Sequence, residues 1–148
     1  MNNFKFTTPQ ESIGLQFWRL HQTWQKKITS ALSPFKITHT QFVILASIQW
    51  YQSQQLKPSQ ADLSKLTGIG KMTLSKAVIK LETLGFIKKN KSKQDTRAVN
   101  IVLTNEALVL IPKLISTVEL IDTQVFDLKE ESDKVCFQKS LVTLNNKI

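Results

Sequence analysis

Apolar residues recur along this chain with a helical period almost everywhere, and with an alternating period in one short stretch. Ile13, Phe17, Leu20, Trp24, Ile28 and Leu32 stand three or four residues apart, which predicts an amphipathic first helix with an aromatic-rich stripe. Ser12 is placed to cap it, and Pro34 stops it by driving Ser33 away from helical angles. Residues 1–9 ahead of it read as a loose arm closed by Pro9. Thr38 caps a second helix carrying Phe42, Leu45, Ala46, Gln49 and Trp50, and a polar stretch from Gln52 to Lys57 ends it.

Pro58-Ser59 opens a short third helix, with Asp62 three residues after Ser59 as a weak capping box and Leu63 and Leu66 as the buried side. Gly68 suits the left-handed angles that close such a helix. A fourth helix runs from near Gly70 to Gly85, with Leu74, Ala77, Val78, Leu81 and Leu84 on one face. Two helices meeting across a short glycine-containing turn predict a helix-turn-helix. After Gly85 the period changes. Phe86-Ile87 leads into Lys88, Lys89, Lys91 and Lys93, and Val99, Ile101 and Leu103 alternate beyond, so two strands joined by a polar tip at Ser92 to Arg97 form a hairpin.

Thr104 or Asn105 caps a long fifth helix bearing Leu108, Ile111, Leu114, Ile115, Val118, Ile121 and Val125. Pro112 should kink it rather than end it, because the apolar period continues beyond. A last helix from about Glu130 presents Val135, Leu141, Leu144 and Ile148. The fold class is therefore mainly α with a small antiparallel β-hairpin wing. It is a single domain, 1–148, in which a winged helix-turn-helix at 38–104 is flanked by N- and C-terminal dimerisation helices at 12–33 and 105–148. The apolar stripes of the first, fifth and sixth helices are too extensive for one small winged helix to cover, which points to pairing between two chains.

The 148 residues carry four Gly and four Pro, too few turn formers for a sandwich or barrel. The longest apolar run, Ala107 to Pro112, is too short to span a bilayer, and no signal-peptide pattern opens the chain, so a soluble cytoplasmic protein is expected. The formal charge of +9 is unevenly placed. Residues 55–105 hold nine lysines and Arg97 against Asp62, Glu82 and Asp95, a balance of +7, whereas residues 106–148 balance at −2. That asymmetry fits a polyanion facing the middle of the chain, although a solvated basic surface gives the same count.

A helix-turn-helix followed by a basic hairpin suits duplex DNA: the helix enters the major groove, the wing reaches the adjacent minor groove, and lysines meet phosphates. With Leu74 inward, the outward arc of the fourth helix holds Met72, Thr73, Lys76, Ile79, Lys80 and Thr83. Lys76 and Lys80 can meet phosphates or guanine edges, and Thr73 a phosphate or a base. Met72 and Ile79 suit thymine methyls, with packing against protein as the alternative. Ser59, Lys71, Met72, Thr73, Ser75, Lys76, Lys80, Lys89, Lys91, Lys93, Asp95 and Arg97 make up the candidate DNA-binding set.

Within residues 59–104, the stretch ADLSKLTGIGKMTLSKAVIKLETLGFIKK and the later KQDTRAVNIVLT resemble the MarR family of winged-helix regulators. Asp95, Arg97, Leu103 and Thr104 stand where that family's wing typically has Asp, Arg and a closing Leu-Thr; Ile37-Thr38 and Gln41 to Leu45 resemble its second-helix opening. The resemblance spans about residues 12–145. It implies a homodimer on double-stranded DNA, a pseudo-palindromic operator, Arg97 in the minor groove, and Asp95 orienting its guanidinium. It also implies an apolar pocket for a small aromatic or phenolic effector, for which Phe17, Trp18, His21, Trp24 and Trp50 are candidates, with dimer core as the alternative. Two positions depart from the family: Gly70 stands where many relatives place a side-chain cap, and Glu106-Ala107 where a glycine often follows Leu-Thr.

Cys136, the only cysteine, reads as a buried, inert thiol beside Phe137, and no short spacing makes His21 or His39 metal ligands. No catalytic constellation or cofactor motif is seen. The expected function is a homodimeric, sequence-specific transcription regulator, a repressor released by a ligand. The alternatives are a DNA-binding regulator without an effector site and a winged-helix protein-interaction module.

Overall fold

The computed structural model describes residues 3–91 and 99–148. Six helices and one hairpin follow in order: α1 (Ile13–Leu32), α2 (His39–Ser53), α3 (Gln60–Thr67), α4 (Lys71–Thr83), β1 (Ile87–Lys91), β2 (Val99–Leu103), α5 (Asn105–Val125) and α6 (Glu131–Asn145). Each expected cap forms. The Ser12 hydroxyl accepts from Leu15 N, and Thr38 and Ser59 build full capping boxes with Gln41 and Asp62. The Thr104 hydroxyl accepts from Ala107 N, so α5 starts firmly despite Glu106-Ala107. It also donates to the Gly85 carbonyl, tying the start of α5 to the turn after α4. Gly68 closes α3 at φ 74°. α5 runs unbroken through Pro112, as the continuing apolar period required.

The core joins the C-terminal half of α1 (Ile28, Leu32) to Ile44, Leu45 and Ile48 of α2, Leu63 of α3, and Leu74, Val78 and Leu81 of α4. Ile37 ahead of α2, Ile87, Ile101 and Leu103 of the hairpin, and Ala107, Ile111, Leu114 and Val118 of α5 complete it. The strands pair antiparallel with Ile87 opposite Leu103 and Lys91 opposite Val99. The hairpin tip, including Lys93, Asp95 and Arg97, lies outside the described residues.

Four expectations need correction. Leu66 and Leu84 are exposed, because α3 and α4 turn only Leu63 and the Leu74, Val78 and Leu81 row onto the core. Cys136 is exposed, since α6 buries none of its residues against its own chain. The arm before α1 is not loose over its described length: Pro9–Glu11 forms a 3-10 turn, Thr7 N donates to Glu11 Oε2 at 3.0 Å, and Gln16 Nε2 reaches back to the Pro9 carbonyl at 3.2 Å. Last, Pro34 does not drive Ser33 from helical angles: Ser33 keeps φ −57° and ψ −37°, Ser33–Phe35 continues from α1 as a 3-10 turn, and the chain turns off only at Lys36, whose φ is 55°.

Candidate nucleic-acid interface

The turn between α3 and α4 is locked by its own side chains. Ser64 Oγ donates to the Ile69 carbonyl at 2.8 Å, Thr67 Oγ1 donates to the Leu63 carbonyl at 2.7 Å, and Thr67 Oγ1 accepts from Ile69 N at 3.2 Å. These bonds fix how α4 leaves α3. With Leu74, Val78 and Leu81 buried, Lys71, Met72, Thr73, Lys76, Ile79, Lys80 and Thr83 face solvent and Ser75 is half-buried. Met72 is 76% and Ile79 54% exposed, so within this chain neither is taken up by packing. Gly70 starts α4 with no side-chain cap, leaving the first backbone N–H groups of the helix open to an outside acceptor.

Lys88, Lys89 and Lys91 are exposed on β1. Ile87, Lys89 and Lys91 share one face; the first sits in the core and the others run outward as the hairpin leaves it. Among the described residues, the only ion pairs join Lys134 to Asp127 and Glu131, so the lysines of α4 and β1 have no internal counter-charge.

Ser59 stands differently from the rest of the candidate set. Its hydroxyl donates to Asp62 Oδ2 at 2.7 Å while accepting from Asp62 N, and Ser59 N gives Asp62 Oδ2 a further bond at 2.8 Å. The backbone bond first, then the hydroxyl, holds the Asp62 carboxyl below its ordinary range. The single hydroxyl proton of Ser59 is therefore spent on the capping box and is not on offer to a phosphate.

Of the five effector-pocket candidates, three come together. Phe17, His21 and Trp24 line an apolar cavity of about 280 Å³ with Leu20, Phe126, Phe137 and Leu141. Trp18 and Trp50 do not line it: both are exposed, at 59% and 52%, and Trp50 lies edge-on to Tyr51 at the far end of α2. Helical spacing could select Phe17, His21 and Trp24 as one face but carries no sign of the partners that α5 and α6 bring. Trp24 Nε1 donates to Asp122 Oδ1 at 2.7 Å, a contact across 98 residues that fastens α1 to α5.

The Trp24 ring meets His39 edge-on at 4.9 Å, and His39 Nδ1 bonds Gln25 Oε1 at 2.7 Å. Burial lowers the His39 pKa below the usual histidine value, Asp122 opposing the shift and His21 adding to it. A depressed histidine binds fewer protons folded than unfolded. Its contribution is complete above about pH 6.5 and is lost as pH falls through the folded value. Urea titrations should show stability declining below about pH 6.5, with a smaller decline in His39→Gln.

A helix-turn-helix backed by a basic hairpin defines the class as a winged-helix protein. The family model described as Transcriptional regulator SarA/Rot matches residues 26–114. Over 122 residues the chain is 34% identical to the uncharacterized HTH-type transcriptional regulator YdcH of Bacillus subtilis strain 168, covering 82% of this chain and 83% of that protein. Its fold matches S. aureus MepR, solved as a DNA complex, at a TM-score of 0.83 and 21% identity over 95% of this chain and 99% of that one. It matches Bordetella bronchiseptica BpsR, whose DNA binding is regulated by 6-hydroxynicotinic acid, at 0.83 and 21% over 95% and 97%. The chain belongs to the SarA/Rot family of transcriptional regulators and has the MarR-type winged helix; it is a regulator, not an enzyme. Among the described residues, no helix is long and apolar enough to cross a membrane.

Proposed function

We propose that this protein is a cytoplasmic homodimer that binds a pseudo-palindromic DNA operator, represses transcription from it, and is released by a small aromatic effector. The observation that carries the DNA reading is an array of lysines with no ion-pair partner among the described residues, Lys71, Lys76 and Lys80 on the outer face of α4 and Lys88, Lys89 and Lys91 on the adjoining strand. In this reading Lys76, Lys80, Thr73 and Ser75 meet bases or phosphates, and Met72 meets a thymine methyl. Lys71, Lys89, Lys91 and Lys93 hold phosphates, while Arg97, oriented by Asp95, enters the minor groove.

The dimer is supported by apolar surface left open at both ends of the chain. Ile13, Phe17 and Trp18 of α1, Leu120 of α5, and Val135, Val142 and Leu144 of α6 are all exposed. Residues 12–33 and 105–148 then supply the interface and 38–104 the DNA-binding unit. The cavity behind Trp24 supports the effector. Among the described residues its lining holds no lysine or arginine, and its polar ring atoms are those of His21 and of the Trp24 indole, whose N–H is already given to Asp122, so a phenol suits it better than a carboxylate.

Light scattering tests the assembly. The free chain should run at about twice its 16.9 kDa and bind as two chains per duplex; a monomer that still binds one operator tightly contradicts the dimer. A phenol seated in the cavity should quench Trp24 emission and weaken DNA binding over the same concentration range, as linkage requires. Quenching with unchanged DNA affinity would favour the regulator without an effector switch.

A further inference from the structure

The outer edge of β2 is not open. Ile101 N and Leu103 N face away from β1, and each has a partner from the end of α2 or the segment that follows it. Ile101 N donates to the Pro58 carbonyl at 2.8 Å, and Leu103 N donates to Oε1 of Gln52 at 2.8 Å. Pro58 and Leu103 are buried, whereas Gln52 is half-buried in the last turn of α2. A side chain thus does what a third strand would do for this edge. The hairpin's other ties, Thr104 N to the Phe86 carbonyl and Thr104 Oγ1 to the Gly85 carbonyl, join the base of the hairpin only to itself and to the end of α4. Gln52 is the one side chain, among the described residues, that bonds the strands to α2.

We infer that Gln52 is a positioning residue for the DNA-binding wing: through Leu103 N–H it sets the hairpin's angle relative to α2, and hence the reach of the wing beside α4. The inference rests on the DNA reading above. Gln52 does not contact DNA in it. α2 is a rigid carrier for this role, since its other end, at His39, packs on Trp24, while Ile44, Leu45 and Ile48 fix it in the core. Removing the acceptor leaves a buried amide unpaired and leaves Ile101 N on the Pro58 carbonyl as the one remaining hydrogen bond on this edge among the described residues, about which the hairpin can pivot. Groove readout by the wing depends on that angle, whereas phosphate attraction does not. The loss therefore falls on sequence discrimination.

The test pairs two side chains of similar length. Gln52→Met removes the acceptor; Gln52→Glu keeps an oxygen at the same reach. Each is measured on a duplex that the unaltered chain selects from random-sequence DNA and on a scrambled duplex of the same composition. Amide hydrogen exchange at Leu103 is followed in the free protein. Gln52→Met should speed exchange at Leu103 and lower the selected-to-scrambled affinity ratio by about tenfold. Gln52→Glu should restore both, even if its charge weakens binding to the two duplexes equally. The role of Gln52 is overturned if Gln52→Met keeps the ratio and the Leu103 protection, or if Gln52→Glu fails to rescue the ratio. An unaltered chain that binds no duplex overturns the DNA reading itself, a separate result.

Discussion

Leu74→Ala is expected to lower the unfolding free energy by about 2–5 kcal/mol, while Lys76→Ala, two positions along the same helix, is expected to shift it by no more than about 0.5 kcal/mol. Leu74 is 1% exposed and lies in the cluster that includes Val78, Leu81 and Leu63, so truncation removes buried methyl groups and leaves a void. Lys76 has no ion-pair partner among the described residues and lies on the outward face. Its loss should appear in DNA binding instead, at about 1–3 kcal/mol if it holds a guanine edge. Denaturant melts and binding titrations on the two variants separate the effects. Wild-type binding by Lys76→Ala would mean that the interface lies on another arc of α4.

The second large effect is expected at the hairpin tip. Arg97→Ala should weaken binding to the selected operator by at least tenfold and to scrambled DNA much less, because an arginine in a narrow minor groove reads its width and potential. Lys91→Ala should weaken both duplexes alike and flatten the salt slope by about one unit per monomer, the mark of one phosphate contact. Asp95→Ala should act as a milder Arg97→Ala, since the guanidinium keeps its charge and loses its orientation. Salt titrations of each variant on both duplexes decide this. Equal losses for Arg97→Ala on the two duplexes would reduce it to one more phosphate contact.

What could be seen in the chain beforehand was mostly local. Ser12, Thr38, Ser59 and Thr104 act within three residues of themselves, and each caps the helix it was expected to cap. The phase of α4 follows from Leu74, Val78 and Leu81 alone, because a helix fixes every other side chain once one face is assigned. Periodicity was a poorer guide to burial. Leu66 and Leu84 keep the period and still face solvent, since a face has more apolar positions than the neighbouring helices reach.

Contacts between distant segments left no trace in spacing. Trp24 with Asp122, the entry of Phe126, Phe137 and Leu141 into the cavity, and Gln52 on Leu103 all depend on tertiary placement. Gln52 in particular sat in a polar stretch that read only as the end of α2. Residue type groups Trp18 and Trp50 with Trp24, but both are exposed and neither lines the cavity that Trp24 lines. Cysteine is usually buried, yet α6 turns Phe137 and Leu141 toward its own chain and leaves Cys136 on the exposed side.

Repeated selection of bound fragments from random-sequence duplex DNA tests the central claim most directly. The proposed dimer places two α4 helices in major grooves about one helical turn, roughly 34–36 Å, apart. Selection by the full chain should therefore enrich an inverted repeat with half-sites at that spacing, and binding to it should exceed binding to scrambled DNA by about a thousandfold or more at physiological salt. Enrichment of no sequence, with uniform salt-sensitive binding to every duplex, would contradict it.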